Sequence, residues 1–131
     1  MIYEKKEEYK YSEITARIIG CAMKIHNELG PGFPEYIYQR ALEIEFRNES
    51  IKNEREKEHP VYYLKELVGK RRVDFVVEEK IMLELKAVDM LNNLSLSRSI
   101  NYLKAFNLEI GLLINFGGAK LEFKRLINNK M

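Results

Sequence analysis

The chain has 131 residues, with 22 Lys and Arg against 20 Asp and Glu and a formal net charge of +2. That length holds one domain around one core, and a hydrophobic content of 46% excludes a disordered chain. So small a net charge excludes a highly basic coating protein, so any affinity for nucleic acid has to come from local patches.

In chain order, residues 1–11 read as a flexible polar arm and 12–131 as a single domain. The charged start, Met1 to Glu8, lacks the apolar stretch of a signal peptide, and no segment approaches transmembrane length, so a cytoplasmic location is expected. Ser12 is a good N-cap for a helix to about Leu29, with Ile14, Ile18, Ala22, Ile25 and Leu29 as its apolar stripe. Cys21, the single cysteine, excludes an internal disulfide and falls on the apolar face of that helix as a core residue. Gly30-Pro31-Gly32 ends the helix, and Pro34 starts a second one that turns Ile37, Ala41, Leu42 and Phe46 inward and fades near Asn48.

A charged stretch from Lys52 to Glu58 precedes a first strand expected at Pro60–Leu64, and Lys65–Gly69 turns into the next. Two apolar strands follow, Val73–Val77 and Ile81–Val88, joined by Glu78-Glu79-Lys80. A third helix is expected over Ser95–Phe106, then a buried strand at Ile110–Phe116, a Gly117-Gly118 turn, and a last strand at Leu121–Ile127. The order of helix, helix, three-strand meander, helix, strand, strand is α/β, with a central mixed β-sheet flanked by helices.

Three charges interrupt the two apolar strands: Asp74, Glu84 and Lys86. Strands apolar on both alternating faces are covered on both sides, and a charge there is destabilising unless paired or bound to metal. A three-residue loop pairs Val77 with Ile81, Val76 with Met82 and Asp74 with Glu84, and alternation sets Glu84 and Lys86 on one face. Two carboxylates that close repel unless a cation lies between them, a role that oxygen-ligated Mg²⁺ fits. The competing reading is a structural ion pair among the three. From spacing alone the two readings weigh about equally.

The residues Gly32-Phe33-Pro34-Glu35-Tyr36-Ile37-Tyr38 spell GxxExxY. They are followed in order by Arg72-Val73-Asp74-Phe75-Val76-Val77, Leu83-Glu84-Leu85-Lys86-Ala87-Val88, Tyr102-Leu103-Lys104 and Gly111-Leu112-Leu113-Ile114-Asn115-Phe116-Gly117. This ordered set resembles the GxxExxY proteins, a branch of the PD-(D/E)XK nuclease superfamily, over roughly Ile14 to Arg125. The resemblance implies a restriction-endonuclease-like core and a metal-dependent nuclease that hydrolyses phosphodiester bonds, with DNA the expected partner. By matching position, Asp74, Glu84 and the main-chain carbonyl of Leu85 would hold Mg²⁺ (or Mn²⁺). Glu35 would reach the metal through water or help a second ion, and Lys86 would position the nucleophilic water.

Glu35 alone would be read as a first-turn acid favoured by the helix dipole, worth about 0.3–1 kcal/mol; the motif reverses that. Arg98 stands where relatives are expected to carry a glutamine, and a fixed cation there is a candidate phosphate clamp. Asn107 stands where a glycine is usual, and Val73 where the superfamily's name-giving proline would be. Tyr38, one turn on from Glu35, is a candidate phosphate contact or a packed helix tyrosine. Lys70-Arg71-Arg72, just before Asp74, and Lys120, Lys124 and Arg125 are candidates to track a nucleic-acid backbone, although charge runs are more often solvated faces. His26 and His59 lack metal spacing. The alternative to an enzyme is a non-catalytic nucleic-acid-binding or protein-interaction module on the same scaffold, and a homodimer is conceivable because one small site cuts one strand per encounter.

Overall fold

The computed structural model describes residues 10–129. The expected arm therefore lies outside the described residues over 1–9. Lys10 and Tyr11 form the turn into the first helix, where Arg125 donates to the Lys10 carbonyl and Lys10 Nζ meets Glu109 at 2.8 Å. The elements are α1 (Ser12–Leu29), α2 (Glu35–Asn48), β1 (Asn53–Tyr63), β2 (Glu66–Val77), β3 (Ile81–Lys86), α3 (Asn93–Ala105), β4 (Ile110–Asn115) and β5 (Glu122–Ile127). The sheet runs β1-β2-β3-β4-β5, antiparallel throughout except for the β3–β4 pair. The parallel pair needs a crossover, which α3 supplies.

Side-chain alternation divides the core between two layers. On one face Ile18, Ala22 and Ile25 of α1 and Leu42 and Phe46 of α2 pack on Phe75, Val77, Ile81, Leu83 and Leu85. On the other, Leu103 and Phe106 pack on Val73, Val76, Met82, Leu113 and Leu126. With both faces covered, β3 and β4 are buried along nearly their whole length, as their unbroken apolar runs require.

Four expectations about the elements are corrected. β1 begins at Asn53, inside the charged stretch, because an edge strand buries one side of alternating residues only halfway and tolerates charge on the other. β2 likewise begins at Glu66, lengthening the β1–β2 hairpin well beyond the apolar pattern. Ser12 is the first helical residue and does not cap; Tyr11 precedes it in the left-handed region, at φ 60°. In α3 the capping residue is Asn92, whose side chain accepts the Ser95 amide at 2.9 Å, so the helix starts earlier than Ser95.

One close approach fixes the end of β4. A Cβ on Gly117 would lie 2.3 Å from the Val88 carbonyl oxygen and 2.4 Å from its nitrogen. Beside it, buried Asn115 accepts the Val88 and Gly117 amides and donates to the Val88 carbonyl and Glu122. These bonds hold the segment after β3 against the end of β4.

Candidate active site

The β2–β3 register is Val77↔Ile81, Val76↔Met82 and Phe75↔Leu83, and there the ladder stops. The next pair in that register would be Asp74 and Glu84. Instead of main-chain pairing, the Asp74 amide donates to Glu84 Oε1 at 3.2 Å, and the Leu85 amide donates to Asp74 Oδ2 at 2.8 Å. Each carboxylate takes the place of a missing main-chain acceptor, and the strands fork around the two acids. On the other side of Asp74 the β1–β2 ladder also skips a rung, between Arg55↔Phe75 and Lys57↔Val73. The residue of β1 facing that gap is Glu56, held at φ 54°, a region a side-chain-bearing residue seldom adopts.

The fork opens into a pocket of about 270 Å³ lined by Glu35, Gln39, Glu56, Arg71, Arg72, Val73, Asp74, Glu84, Leu85 and Lys86. All of Glu35, Asp74, Glu84 and Lys86 are therefore brought together, as expected from the sequence. Glu35 reaches the pocket from the first turn of α2 and remains solvent-accessible. Gln39, one turn further along α2, is buried and donates from Nε2 to Asp74 Oδ1 at 2.9 Å. Its own oxygen accepts Arg55 Nη1 at 3.2 Å, and Arg55 Nε is anchored on Glu43 at 2.9 Å. The sequence reading missed Gln39; its signal was the four-residue spacing from Glu35, which puts both on one helix face.

Glu84 is 5% exposed, and burial together with the Asp74 carboxylate pushes its pKa up to about 7. Asp74 is raised by burial, against the lowering pull of the Leu85 amide, Gln39 and Lys86. Glu35, although exposed, is raised by partial desolvation, with Lys86 opposing and Asp74 adding to the rise. Two acids held near each other at a cost to their ionisation are a site in need of positive charge.

The donors present suit a hard divalent cation. Asp74 and Glu84 offer carboxylate oxygens, and among the described residues Glu84 Oε2 has no protein hydrogen bond. No three His, Cys, Asp or Glu side chains converge on a metal position among the described residues. Two carboxylates are enough for such an ion, because Mg²⁺ is commonly bound by one or two carboxylates with waters completing its shell.

Two candidate residues lie elsewhere. The Tyr38 side chain is fully buried, stacked on Phe116 at 4.5 Å, and its hydroxyl donates to the Gly30 carbonyl at 2.6 Å and accepts the Phe33 amide at 3.2 Å. It ties the α1–α2 loop to the core and makes no phosphate contact. Arg98 is exposed and does not line the pocket, while Ser99 and Leu103 take the buried face of α3. Arg72 does line the pocket, and it is paired with Glu58 at 3.2 Å.

Fold and element order together define an α/β protein with a restriction-endonuclease-like core. The family description that matches, over residues 12–126, is the PD-(D/E)XK nuclease superfamily, and the chain belongs to it. A solved structure described as the crystal structure of SSO0001 is similar at 18% identity and a TM-score of 0.57, over 97% of this chain and 69% of that one; at that identity the likeness concerns the fold. No curated protein matches the sequence.

Proposed function

We propose that the chain is a metal-dependent nuclease of the GxxExxY branch that hydrolyses phosphodiester bonds in DNA. The observation that carries this reading is the fork at Asp74 and Glu84, a half-buried and a buried carboxylate that each accept a main-chain amide of the facing strand beside Lys86. Asp74, Glu84 and the Leu85 carbonyl would hold Mg²⁺ or Mn²⁺, with Glu35 contributing through water. When bound, such an ion neutralises charge developing on the phosphate and makes a water easier to ionise.

The chain's own residues supply the rest. Gln39 fixes the Asp74 carboxylate, since its amide N–H on Oδ1 leaves the acid one orientation. Lys86, on the same strand face as Glu84 and lining the same pocket, would position the attacking water. Burial of Glu84 lowers the local dielectric, which strengthens electrostatic contacts with a phosphate.

The test is cleavage of labelled single- and double-stranded DNA and RNA with Mg²⁺, Mn²⁺ or chelator, by wild type, Glu84→Ala and Lys86→Ala. Metal-dependent cutting of DNA lost in both variants supports the reading. Failure of folded wild type to cut any substrate with either metal contradicts it.

A further inference from the structure

Arg71 stands apart from the other arginines near the fork. Arg72 is neutralised by Glu58 and Arg55 by Glu43, at 3.2 Å and 2.9 Å. Arg71 has no ion-pair partner among the described residues, yet it lines the carboxylate pocket. Its guanidinium carbon lies 3.9 Å from the centre of the Tyr102 ring. Its Nε is buried and has no hydrogen-bond acceptor among the described residues.

This placement follows from the sheet. Arg71 is two residues before Val73, so strand alternation gives both the face that α3 covers, where Tyr102 packs at the edge of the Val73–Leu103 cluster. Stacking on an aromatic face fixes the plane of a guanidinium and leaves the N–H groups at its edge to bond in that plane. A planar fork of donors that makes no ion-pair contact among the described residues, although its charge acts on Glu84, is matched by a phosphate beside the acids.

We infer that Arg71, oriented by Tyr102, is the phosphate-binding residue of the site and grips the backbone of a DNA strand next to the carboxylate pair. This assigns to Arg71 the clamp expected at Arg98, and it rests on the nuclease reading for its substrate. Tyr102 is a positioning residue: its ring, not its hydroxyl, does the holding.

The test measures binding of a fluorescein-labelled oligothymidine by anisotropy, with chelator and again with Ca²⁺, over a series of salt concentrations. Wild type is compared with Arg71→Gln, Tyr102→Phe, Tyr102→Leu and the charge control Lys24→Gln on α1, with cleavage in Mg²⁺ and Mn²⁺ measured in parallel. The expected result is a loss of about tenfold or more for Arg71→Gln, with the salt slope shallower by about 0.7, one single-strand phosphate contact. Tyr102→Phe and Lys24→Gln bind as wild type does, and Tyr102→Leu loses part of the affinity.

Wild-type affinity and salt slope in a folded Arg71→Gln overturn the inference, and the nuclease reading survives if wild type still cuts. Unchanged binding by Tyr102→Leu overturns the role given to the ring. Binding that depends on Arg71 without cleavage under either metal keeps the backbone contact and removes the catalytic reading. Absence of wild-type binding under both conditions overturns the inference.

Discussion

The Asp74 amide donates to the Glu84 carboxylate at 3.2 Å at the point where β2 and β3 cease to pair. The bond does two things. It satisfies a backbone donor that forking would otherwise leave without a partner, and it keeps the two acids together although their charges repel.

That repulsion has a signed consequence for stability. The Glu84 pKa is raised from 4.5 to about 7, so the folded chain binds the proton more tightly than the unfolded one does. The stabilisation this gives is complete below about pH 4.5 and is lost as pH rises through about 7. Glu84→Gln keeps an oxygen for the Asp74 amide and has no charge to suppress. In chelator it should therefore unfold at higher denaturant than wild type at pH 8, by up to about 3 kcal/mol, with the gap closing toward pH 5. Equal midpoints at pH 8 would mean that the pair is not strained in the folded chain.

Gln39→Leu removes the bond to Asp74 Oδ1 and leaves Arg55 Nη1 without that acceptor. Loss of such an orienting bond costs about 10–100-fold in metal affinity. Mn²⁺ titration of folded Gln39→Leu should show a loss of that order, while a wild-type constant would reduce Gln39 to a packing role.

Tyr38→Phe separates the sequence expectation from the structure. Among the described residues the hydroxyl bonds only to the Gly30 carbonyl and the Phe33 amide. Its removal should destabilise the chain by about 1 kcal/mol in denaturant melts and leave oligothymidine affinity as in wild type. A weakened affinity with unchanged stability would restore Tyr38 to the binding site.

The Asp74–Glu84 arrangement was legible because a period of two and a short loop fix which residues face each other, and the three pairs before the fork have that register. What alternation does not encode is that the ladder ends there, since a carboxylate accepting an amide in place of a carbonyl leaves no trace in hydrophobic pattern. The start of β1 was hidden for a related reason: Asn53 to Glu58 carries charge at almost every position, and only its pairing with β2 makes it a strand. Gln39 and Arg71 depend on long-range placement. Gln39 acts because α2 passes over the fork, and Arg71 because α3 brings Tyr102 to β2. Motif position alone does not tell that Arg98 falls outside the pocket lining, since that depends on how α3 packs on the sheet.

Gly117→Ala tests the contact that holds β4 to the segment following β3. The added methyl would lie 2.3 Å from the Val88 carbonyl oxygen, which is main chain and has nowhere to rotate. A destabilisation of about 2 kcal/mol or more is expected, read from the urea midpoint. A neutral substitution would show that the Val88 segment moves freely.

The central claim is that Asp74 and Glu84 together hold a divalent cation. Calorimetric titration of Mn²⁺ at pH 8 into wild type, Asp74→Asn and Glu84→Gln tests it without requiring knowledge of the substrate. The account predicts a saturable site in wild type that is lost in both variants while their folds remain intact by circular dichroism. Mn²⁺ binding of equal strength in wild type and both variants would contradict it.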